Sequence, residues 1–310
     1  MKDFKSWGIK SRKFPENNYN AIWFDLKTVR LGEGQATELP PEYSEFYDVG
    51  INTKCNAECP FCYVSAGRGG VNYPDICETW IKWMNLYREE SYKGITITNK
   101  CYQIAIGSTG EPTLHPDFSK FLRTVYDTHV VPNYTTNGII LSKYGSNNYT
   151  AESIMEATKF FVGGVAVSFG NLLIRDEAEK AVENLIKYGN TNVNIHHIIS
   201  TKESVDNFVR AWKFYGDDIL YHVLLPLMPS GRSTKGVEEG VFEYLEEQIL
   251  INNMKNVSFG AHFYKDLKNS KIKTYIYEPE SFSKNVILTP NKVQITPSSF
   301  NLNPIKIINL

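Results

Sequence analysis

The chain has 310 residues, and 42% of them are hydrophobic, which is enough to bury a large core. Its 33 Lys and Arg residues are balanced by 34 Asp and Glu residues, so it lacks the basic excess of a dedicated nucleic-acid-binding protein. No apolar run approaches the roughly 20 residues that cross a bilayer, and the polar N-terminus does not resemble a signal peptide. The sequence therefore predicts a cytoplasmic protein with no membrane partner, and its charge balance argues against a nucleic-acid partner.

The middle of the chain alternates short β-rich runs with stretches of helical periodicity. Strands are predicted at 46–51, 102–107, 131–135, 162–168, 192–199 and 219–225, with helices at 77–90, 117–129, 151–159, 175–188 and 204–214. Such alternation favours a parallel sheet with right-handed crossovers. The predicted fold class is α/β, as a partial (β/α)6 TIM-type barrel. The loops that follow its strands are expected to meet on one rim.

Three ranges are predicted along the chain: an N-terminal extension at 1–45, the barrel at 46–230, and a C-terminal extension at 231–310 that covers the barrel. The N-terminal extension contains one predicted strand, Ala21 to Val29, and a loop rich in Gly and Pro. The C-terminal extension contains a predicted helix at 237–252. Two β-rich runs at 285–288 and 293–296 flank Pro290-Asn291, which predicts a β-hairpin.

Three of the five cysteines, Cys55, Cys59 and Cys62, fall within eight residues in the spacing C-x3-C-x2-C. Such clustering favours metal binding in a reducing compartment over a disulfide framework. Thiolates are the usual ligands of iron–sulfur clusters. Three of them would leave one iron of a cubane open to a cofactor or substrate. Zinc is the alternative, with a fourth ligand from Cys77, Cys101 or a histidine.

The segment Cys55-Asn-Ala-Glu-Cys59-Pro-Phe61-Cys62 resembles the radical S-adenosylmethionine (SAM) superfamily motif CxxxCxΦC, in which Φ is aromatic. The resemblance implies one [4Fe–4S] cluster whose open iron chelates SAM. It also implies reductive cleavage of SAM to a 5′-deoxyadenosyl radical, which abstracts a hydrogen atom from a substrate. Phe61 would then lie near the adenine, and the electron donor would be a protein such as flavodoxin or ferredoxin.

Other loops after predicted strands extend the resemblance. The turn Thr109-Gly110-Glu111-Pro112 is similar to the family's GGEP turn, with Thr109 in place of the first glycine. Its carbonyls would accept from the SAM ammonium, while Glu111 would brace the loop. The resemblance also implies SAM contacts for Asn137, Ser168, Arg175 and the backbone of Leu225. Strand alternation turns one of His196 and His197 inward, and His196 is the predicted cofactor contact. Arg175 as a solvated residue at a helix start, and His196 or His197 as a packed histidine, stay open as alternatives.

The substrate is the least specified part of the prediction. Candidate catalytic residues are Cys77 and Cys101 as hydrogen-atom donors, and Arg232 for an anionic group. The alternatives are core cysteines and a surface arginine. The motifs are closest in style to the branch that matures molybdenum cofactor, quinone cofactors and peptides.

The chain has no cysteine after Cys101, so one cluster is expected. The 45 residues before the barrel look too few for a leader-peptide-binding domain. The predicted substrate is a peptide side chain or a small molecule derived from an amino acid or nucleoside. A non-catalytic iron–sulfur redox sensor and a zinc-binding protein remain the alternatives.

Overall fold

The computed structural model describes residues 2–14, 19–31, 40–190, 192–272, 283–298 and 301–310. Within these ranges the strands are β1 Ile9–Phe14, β2 Tyr19–Phe24, β3 Lys27–Leu31, β4 Phe46–Gly50, β5 Glu89–Tyr92, β6 Ile95–Thr98, β7 Gln103–Ile106, β8 Val131–Thr136, β9 Gly164–Ser168, β10 Val193–Ile199, β11 Tyr221–Pro226, β12 Val257–Phe259, β13 Ser283–Thr289, β14 Lys292–Thr296 and β15 Lys306–Asn309. The helices are α1 Ile76–Met84, α2 Phe118–Asp127, α3 Tyr149–Phe161, α4 Arg175–Lys187, α5 Lys202–Tyr215, α6 Val241–Ile251 and α7 Tyr264–Lys268.

Six parallel strands form the centre of a ten-stranded sheet, in the order β4, β7, β8, β9, β10, β11. Helices α2 to α5 each connect one of these strands to the next, as right-handed parallel units require. The first and last residues of these six strands each lie within two residues of their predicted positions. The partial (β/α)6 barrel predicted from the sequence is confirmed.

The sheet continues on both sides of the six strands. Strand β12 pairs parallel with β11 at one edge, and β13 pairs parallel with β4 at the other. Strands β14 and β15 then add in antiparallel fashion. The predicted C-terminal helix and hairpin are confirmed as α6 and as β13 with β14. The bounds of the three predicted ranges stay a prediction, because the strands of the final range join the same sheet as the barrel.

The two faces of the parallel strands differ in burial. Alternate residues point to opposite faces of a strand, and on one face they are buried against the helices. This core includes Tyr47, Ile104, Tyr134, Val167 and Ile195, packed with side chains of α1 to α4. The opposite face lines the interior of the barrel, where most side chains are only partly buried. The helix layer therefore carries the hydrophobic core and leaves the barrel interior to other residues.

The N-terminal region departs from the sequence prediction. The single strand predicted at Ala21 to Val29 is wrong, because the chain reverses at Asp25 and Leu26 and forms the β2–β3 hairpin. Both turn residues have positive φ, 48° and 65°. The Gly- and Pro-rich loop predicted next falls mainly on 32–39, outside the described residues.

A second sheet, in the order β3, β2, β1, β6, β5, combines this hairpin with a later one. The helix predicted for 77–90 ends at Met84, and Glu89 begins β5. The parallel pairing of β1 with β6 joins residues more than 80 positions apart. Over the described part of the chain, no helix is both long and apolar enough to cross a membrane.

Candidate active site

The three clustered cysteines lie on the loop that follows β4, at the carboxyl ends of the parallel strands. Each is partly exposed. Burial raises the pKa of the Cys55 and Cys59 thiols, and the neighbouring cysteine sulfurs raise it further. The three sulfurs are therefore close enough to affect one another. A metal that binds thiolates must displace these protons.

The cysteine loop does not form a site for a single metal ion. Among the residues that the structure describes, no three His, Cys, Asp or Glu side chains converge on a single ion position. A cubane makes a different demand, because each cysteine binds a separate iron. The three partly exposed thiols on this loop are the ligands that a cubane would use.

Two asparagines from other strand-end loops donate to the cysteine sulfurs. The Nδ2 of Asn171, after β9, lies 3.3 Å from Cys59 Sγ and 3.2 Å from the Ala57 carbonyl. The Nδ2 of Asn137, after β8, lies 3.9 Å from Cys55 Sγ. Hydrogen bonds to cluster sulfurs tune the reduction potential. Asn137 was predicted as a cofactor residue, and its amide reaches the cysteine loop.

The loop after β11 holds the cysteine loop from the other side. Arg232 donates from Nε to the Cys59 carbonyl at 2.8 Å, from Nη2 to the Ala66 carbonyl at 2.9 Å, and from its backbone N–H to the Cys62 carbonyl. Gly231 lies so close that a Cβ there would be 2.2 Å from the Cys62 carbonyl oxygen. Arg232 was predicted to meet an anionic group. Its donors instead meet backbone carbonyls of the cysteine loop.

Glu111 links two of the rim loops. It is buried, and its carboxylate accepts from the Thr113 backbone and hydroxyl, from the Thr136 hydroxyl at 2.8 Å, and from the Asn137 backbone N–H at 2.8 Å. Burial raises the pKa of the carboxyl, and the hydrogen bonds oppose that rise. With its acceptors occupied, Glu111 braces the loops after β7 and β8.

Thr109 stands where the GGEP turn has its first glycine. Its side chain fits there because Gly50, which lies next to it, has no side chain. Thr109 Oγ1 donates to the Asn52 carbonyl at 2.6 Å. A Cβ on Gly50 would lie 2.4 Å from that hydroxyl. Thr109 does not have positive φ, so its conformation needs no glycine. The side chain occupies the space that Gly50 leaves open.

A cavity of about 180 Å³ opens beside the cysteine loop. Phe61 from that loop lines it together with Gly170, Ile198 and Leu227. Arg175 also lines it, with its guanidinium 4.0 Å from the centre of the Phe169 ring, and donates to the Phe169 carbonyl and to Glu179. Of the predicted cofactor residues, Phe61 and Arg175 therefore share one cavity.

Three other predicted residues lie on the interior face of the barrel. Ser168 and His196 are partners in the register of β9 and β10. Leu225 of β11 aligns with Ile198 of β10, two residues nearer the rim than His196. Burial lowers the pKa of His196 to about 4, so its imidazole is neutral at neutral pH. Its neighbour His197 points to the helix layer, where it bonds to His222 at 3.0 Å.

The two remaining cysteines lie away from the cysteine loop. Cys77 is buried in α1, and its thiol faces Thr124 and Lys120 of α2. Cys101 precedes β7, at the opposite end of that strand from the rim, and is buried near Arg12 and Lys100. The structure does not bring these two candidate hydrogen-atom donors to the site.

Asn171 was missed in the sequence. It follows Phe169-Gly170 at the end of a predicted strand, and this position on the expected rim was its only signal. The bond it makes to Cys59 spans 112 positions in the chain, and such contacts leave no local pattern.

Solved structures of SuiB share this fold. Streptococcus suis SuiB bound to S-adenosylmethionine matches with a TM-score of 0.60 and 13% identity, over 83% of this chain and 60% of SuiB. SuiB bound to its precursor peptide SuiA matches with a TM-score of 0.61 and 16% identity, over 84% of this chain and 60% of SuiB. BtrN in complex with AdoMet and 2-DOIA has a TM-score of 0.34 and 18% identity, over 49% of this chain and 56% of BtrN.

The likeness to SuiB shows a shared fold and supports the α/β fold class predicted from the alternation of strands and helices. This chain spans 60% of the length of SuiB. No protein-family model matches the sequence, and no curated protein matches it.

Proposed function

We propose that this chain is a radical SAM enzyme in which Cys55, Cys59 and Cys62 hold one [4Fe–4S] cluster. The observation that carries the proposal is the convergence on one rim. Three thiols share the loop after β4, and amides from the loops after β8 and β9 donate to two of them. The fold match to SuiB, solved with S-adenosylmethionine bound, supports the same conclusion.

When bound, the cluster supplies the electron that cleaves SAM reductively, and the 5′-deoxyadenosyl radical so formed abstracts a hydrogen atom from the substrate. The protein's own residues provide the setting. Asn137 and Asn171 orient the loop and donate to its sulfurs, and Arg232 fixes the loop's carbonyls. These bonds hold the three thiols in place before any ligand arrives, as a preorganised metal site requires.

The SAM site is assigned to the cavity beside the cysteine loop. Phe61 offers an aromatic surface there for adenine, and Ile198 and Leu227 add apolar walls. Arg175 offers a cation for the SAM carboxylate, although it already pairs with Glu179. Ser168 lies near the same rim and offers a hydroxyl for the ribose.

The substrate is proposed to be a peptide or a small molecule. The peptide is favoured by one observation, since SuiB, which shares the fold, has been solved with its precursor peptide bound. The electron donor is proposed to be a small redox protein such as flavodoxin or ferredoxin.

The test is anaerobic purification, reconstitution with iron and sulfide, and addition of SAM with a strong reductant. Wild-type protein is expected to be brown, to bind SAM and to release 5′-deoxyadenosine. Cys59→Ala should lose the cluster absorbance, whereas Cys77→Ala and Cys101→Ala should keep it.

Two other outcomes separate the rival functions. A colourless protein that carries zinc would favour the zinc-binding alternative. A brown protein with no affinity for SAM would favour the redox sensor.

A further inference from the structure

The second sheet lies against the amino end of the barrel, away from the cysteine loop. Arg12 of β1 is fully buried and donates to the carbonyls of Asn99 and Lys100, in the segment that leads into β7. Lys10, also buried, donates to the His129 carbonyl just before β8. The sheet therefore turns charged side chains towards the barrel.

The opposite face of this sheet, which we call the outer face, is largely apolar. Alternate residues of a strand point to opposite faces, so Ile9 and Ser11 of β1 lie on the outer face when Lys10 and Arg12 lie beneath it. One level of the outer face crosses all five strands, through Val29, Ile22, Ser11, Ile97 and Glu90. The adjacent level contains Lys27, Phe24, Ile9, Ile95 and Tyr92.

The buried cations fix which face is turned outwards. A shift of β1 by one residue would exchange the two faces. It would also carry Arg12 and Lys10 away from the carbonyls that they bond, and a buried charge needs such partners. The exposure of the apolar residues is therefore built into the register of the sheet.

The outer face concentrates the exposed apolar residues of the protein. Of the 23 large hydrophobic residues that are exposed in the described part of the chain, eight lie on this sheet or in its β2–β3 turn. Each exposes between 36% and 62% of its surface. Together they expose on the order of 600 Å², which is as much as the largest apolar patches of monomeric proteins and approaches the roughly 800 Å² that each partner buries in a stable complex. They are Ile9, Ile22, Phe24, Leu26, Val29, Leu31, Tyr92 and Ile95.

Two charges of opposite sign lie at opposite edges of the outer face. Lys27 is on the edge strand β3, and Glu90 is on the edge strand β5. Both are exposed, and neither forms an ion pair or hydrogen bond with another described residue. The outer face thus carries on itself a cation and an anion that can pair with a second copy of the same face.

These charges select one arrangement of two copies. A two-fold axis parallel to the strands lays β3 of each copy over β5 of the other, so that Lys27 and Glu90 meet twice. A two-fold axis across the strands lays β3 over β3 and brings like charges together, which is unfavourable. Complementary charge therefore favours the axis parallel to the strands.

We propose that the outer face binds the outer face of a second copy of this chain, in a two-fold dimer whose axis runs parallel to the strands. Packed sheets lie about 10 Å apart with their strands aligned to within about 30°. The apolar residues form the centre of this interface, and Lys27 and Glu90 pair across its rim. The cysteine loops lie at the far ends of the two barrels, so the dimer forms without a cluster and leaves both candidate active sites open.

Sedimentation velocity of the purified full chain over a wide range of concentrations tests the proposal. The wild type is expected to sediment as a dimer of the 35.4 kDa chain. Ile9→Lys and Ile22→Lys each place a charge on a central strand of the outer face and should give monomers. Phe214→Lys is the control, because Phe214 is an equally apolar, exposed residue on α5, and it should stay dimeric. Circular dichroism shows that each variant is folded.

Charge exchange tests the arrangement without altering the apolar centre. Lys27→Glu and Glu90→Lys each put like charges at both ends of the interface and should raise the Kd of the dimer about tenfold. The double variant, Lys27→Glu with Glu90→Lys, restores opposite charges and should recover the Kd of the wild type. Lys213→Glu, at an exposed position on α5, should leave the Kd unchanged.

Three outcomes overturn the proposal. A wild type that is monomeric at every concentration does so, and if that monomer floats with vesicles of phosphatidylcholine and phosphatidylglycerol, the outer face belongs to a membrane instead. A dimer that persists in folded Ile9→Lys and Ile22→Lys proteins uses another surface. A double charge variant as weak as the two single variants contradicts the pairing of Lys27 with Glu90, and this comparison holds even where a lysine on the outer face prevents folding.

Discussion

The side-chain amide of Asn171 lies 3.3 Å from the sulfur of Cys59, and the same amide donates to the Ala57 carbonyl. One residue from the loop after β9 thus holds both the backbone and a thiol of the cysteine loop. An amide N–H directed at a thiolate stabilises the more negative, reduced form of a cluster. In the proposed enzyme, Asn171 would connect the barrel scaffold to the cluster.

Replacement of Asn171 by Ala should lower the reduction potential of the cluster. A hydrogen bond of this kind is worth about 1 kcal/mol, so the shift is at most roughly 40 mV for one electron, reached if the bond stabilises the reduced state alone. The measurement is a redox titration followed by electron paramagnetic resonance. Asn184→Ala is the control, because the Asn184 amide donates to the Leu141 and Ser142 carbonyls and to no other described residue. Equal potentials in Asn171→Ala and the wild type would contradict a role in tuning.

Arg232 should control how long the cluster survives. Its guanidinium bonds to the Cys59 and Ala66 carbonyls, and a lysine in its place cannot make both bonds from one planar group. Arg232→Lys is expected to lose iron to a chelator several-fold faster than the wild type, and Arg232→Ala faster still. Arg123→Ala is the control, since Arg123 is 69% exposed and pairs with Asp127 of the same helix, away from the cysteine loop. Identical rates in all four proteins would leave Arg232 without this role.

The elements that were predicted correctly carry local signals. Each central strand is a short apolar run next to an amphipathic helix, and the motif Cys55 to Cys62 lies within eight residues. The turn at Asp25-Leu26 lacks such a signal. A two-residue hairpin turn with positive φ usually contains Asn or Gly, and a leucine at φ 65° is uncommon. The sequence alone therefore predicts one continuous strand from Ala21 to Val29.

The rest of the site depends on contacts between distant parts of the chain. The bonds from Asn171 and Arg232 to the cysteine loop span more than 100 positions. The position of Asp48 on the interior face of the barrel depends on strand register, which only the folded sheet fixes. Sequence patterns predicted which loops would meet on the rim. They did not show which side chains would reach across it.

Gly50 and Thr109 should be energetically coupled. A Cβ on Gly50 would lie 2.4 Å from Thr109 Oγ1, so Gly50→Ala is expected to destabilise the protein by about 1–3 kcal/mol. Thr109→Gly loses the bond to the Asn52 carbonyl and adds backbone freedom, at about 1–2 kcal/mol. The double variant should be less destabilised than the sum of the two, because removal of the threonine side chain removes the clash. Urea unfolding of the four proteins measures the coupling, and strict additivity would show that the two residues do not compete for space.

The histidine pair in the helix layer should make the protein sensitive to acid. His197 and His222 bond to each other at 3.0 Å, and burial lowers the pKa of His222 to about 4 and that of His197 well below its usual value. The unfolded chain takes up protons near pH 6.5, where the folded chain does not. Stability is therefore lost as the pH falls from about 6.5 towards 4, by roughly 3 kcal/mol for His222 alone.

The variant that tests this prediction is His197→Leu with His222→Leu, which puts apolar side chains next to Phe169 and Phe208. Asp48 and Glu45, whose pKa values are raised to about 7, act in the opposite sense over an overlapping range. The difference between variant and wild type cancels their contribution. The free energy of unfolding, measured with urea at several pH values, should fall less steeply below about pH 6.5 in the variant than in the wild type. An equal fall in both proteins would mean that the histidine pair does not limit stability in acid.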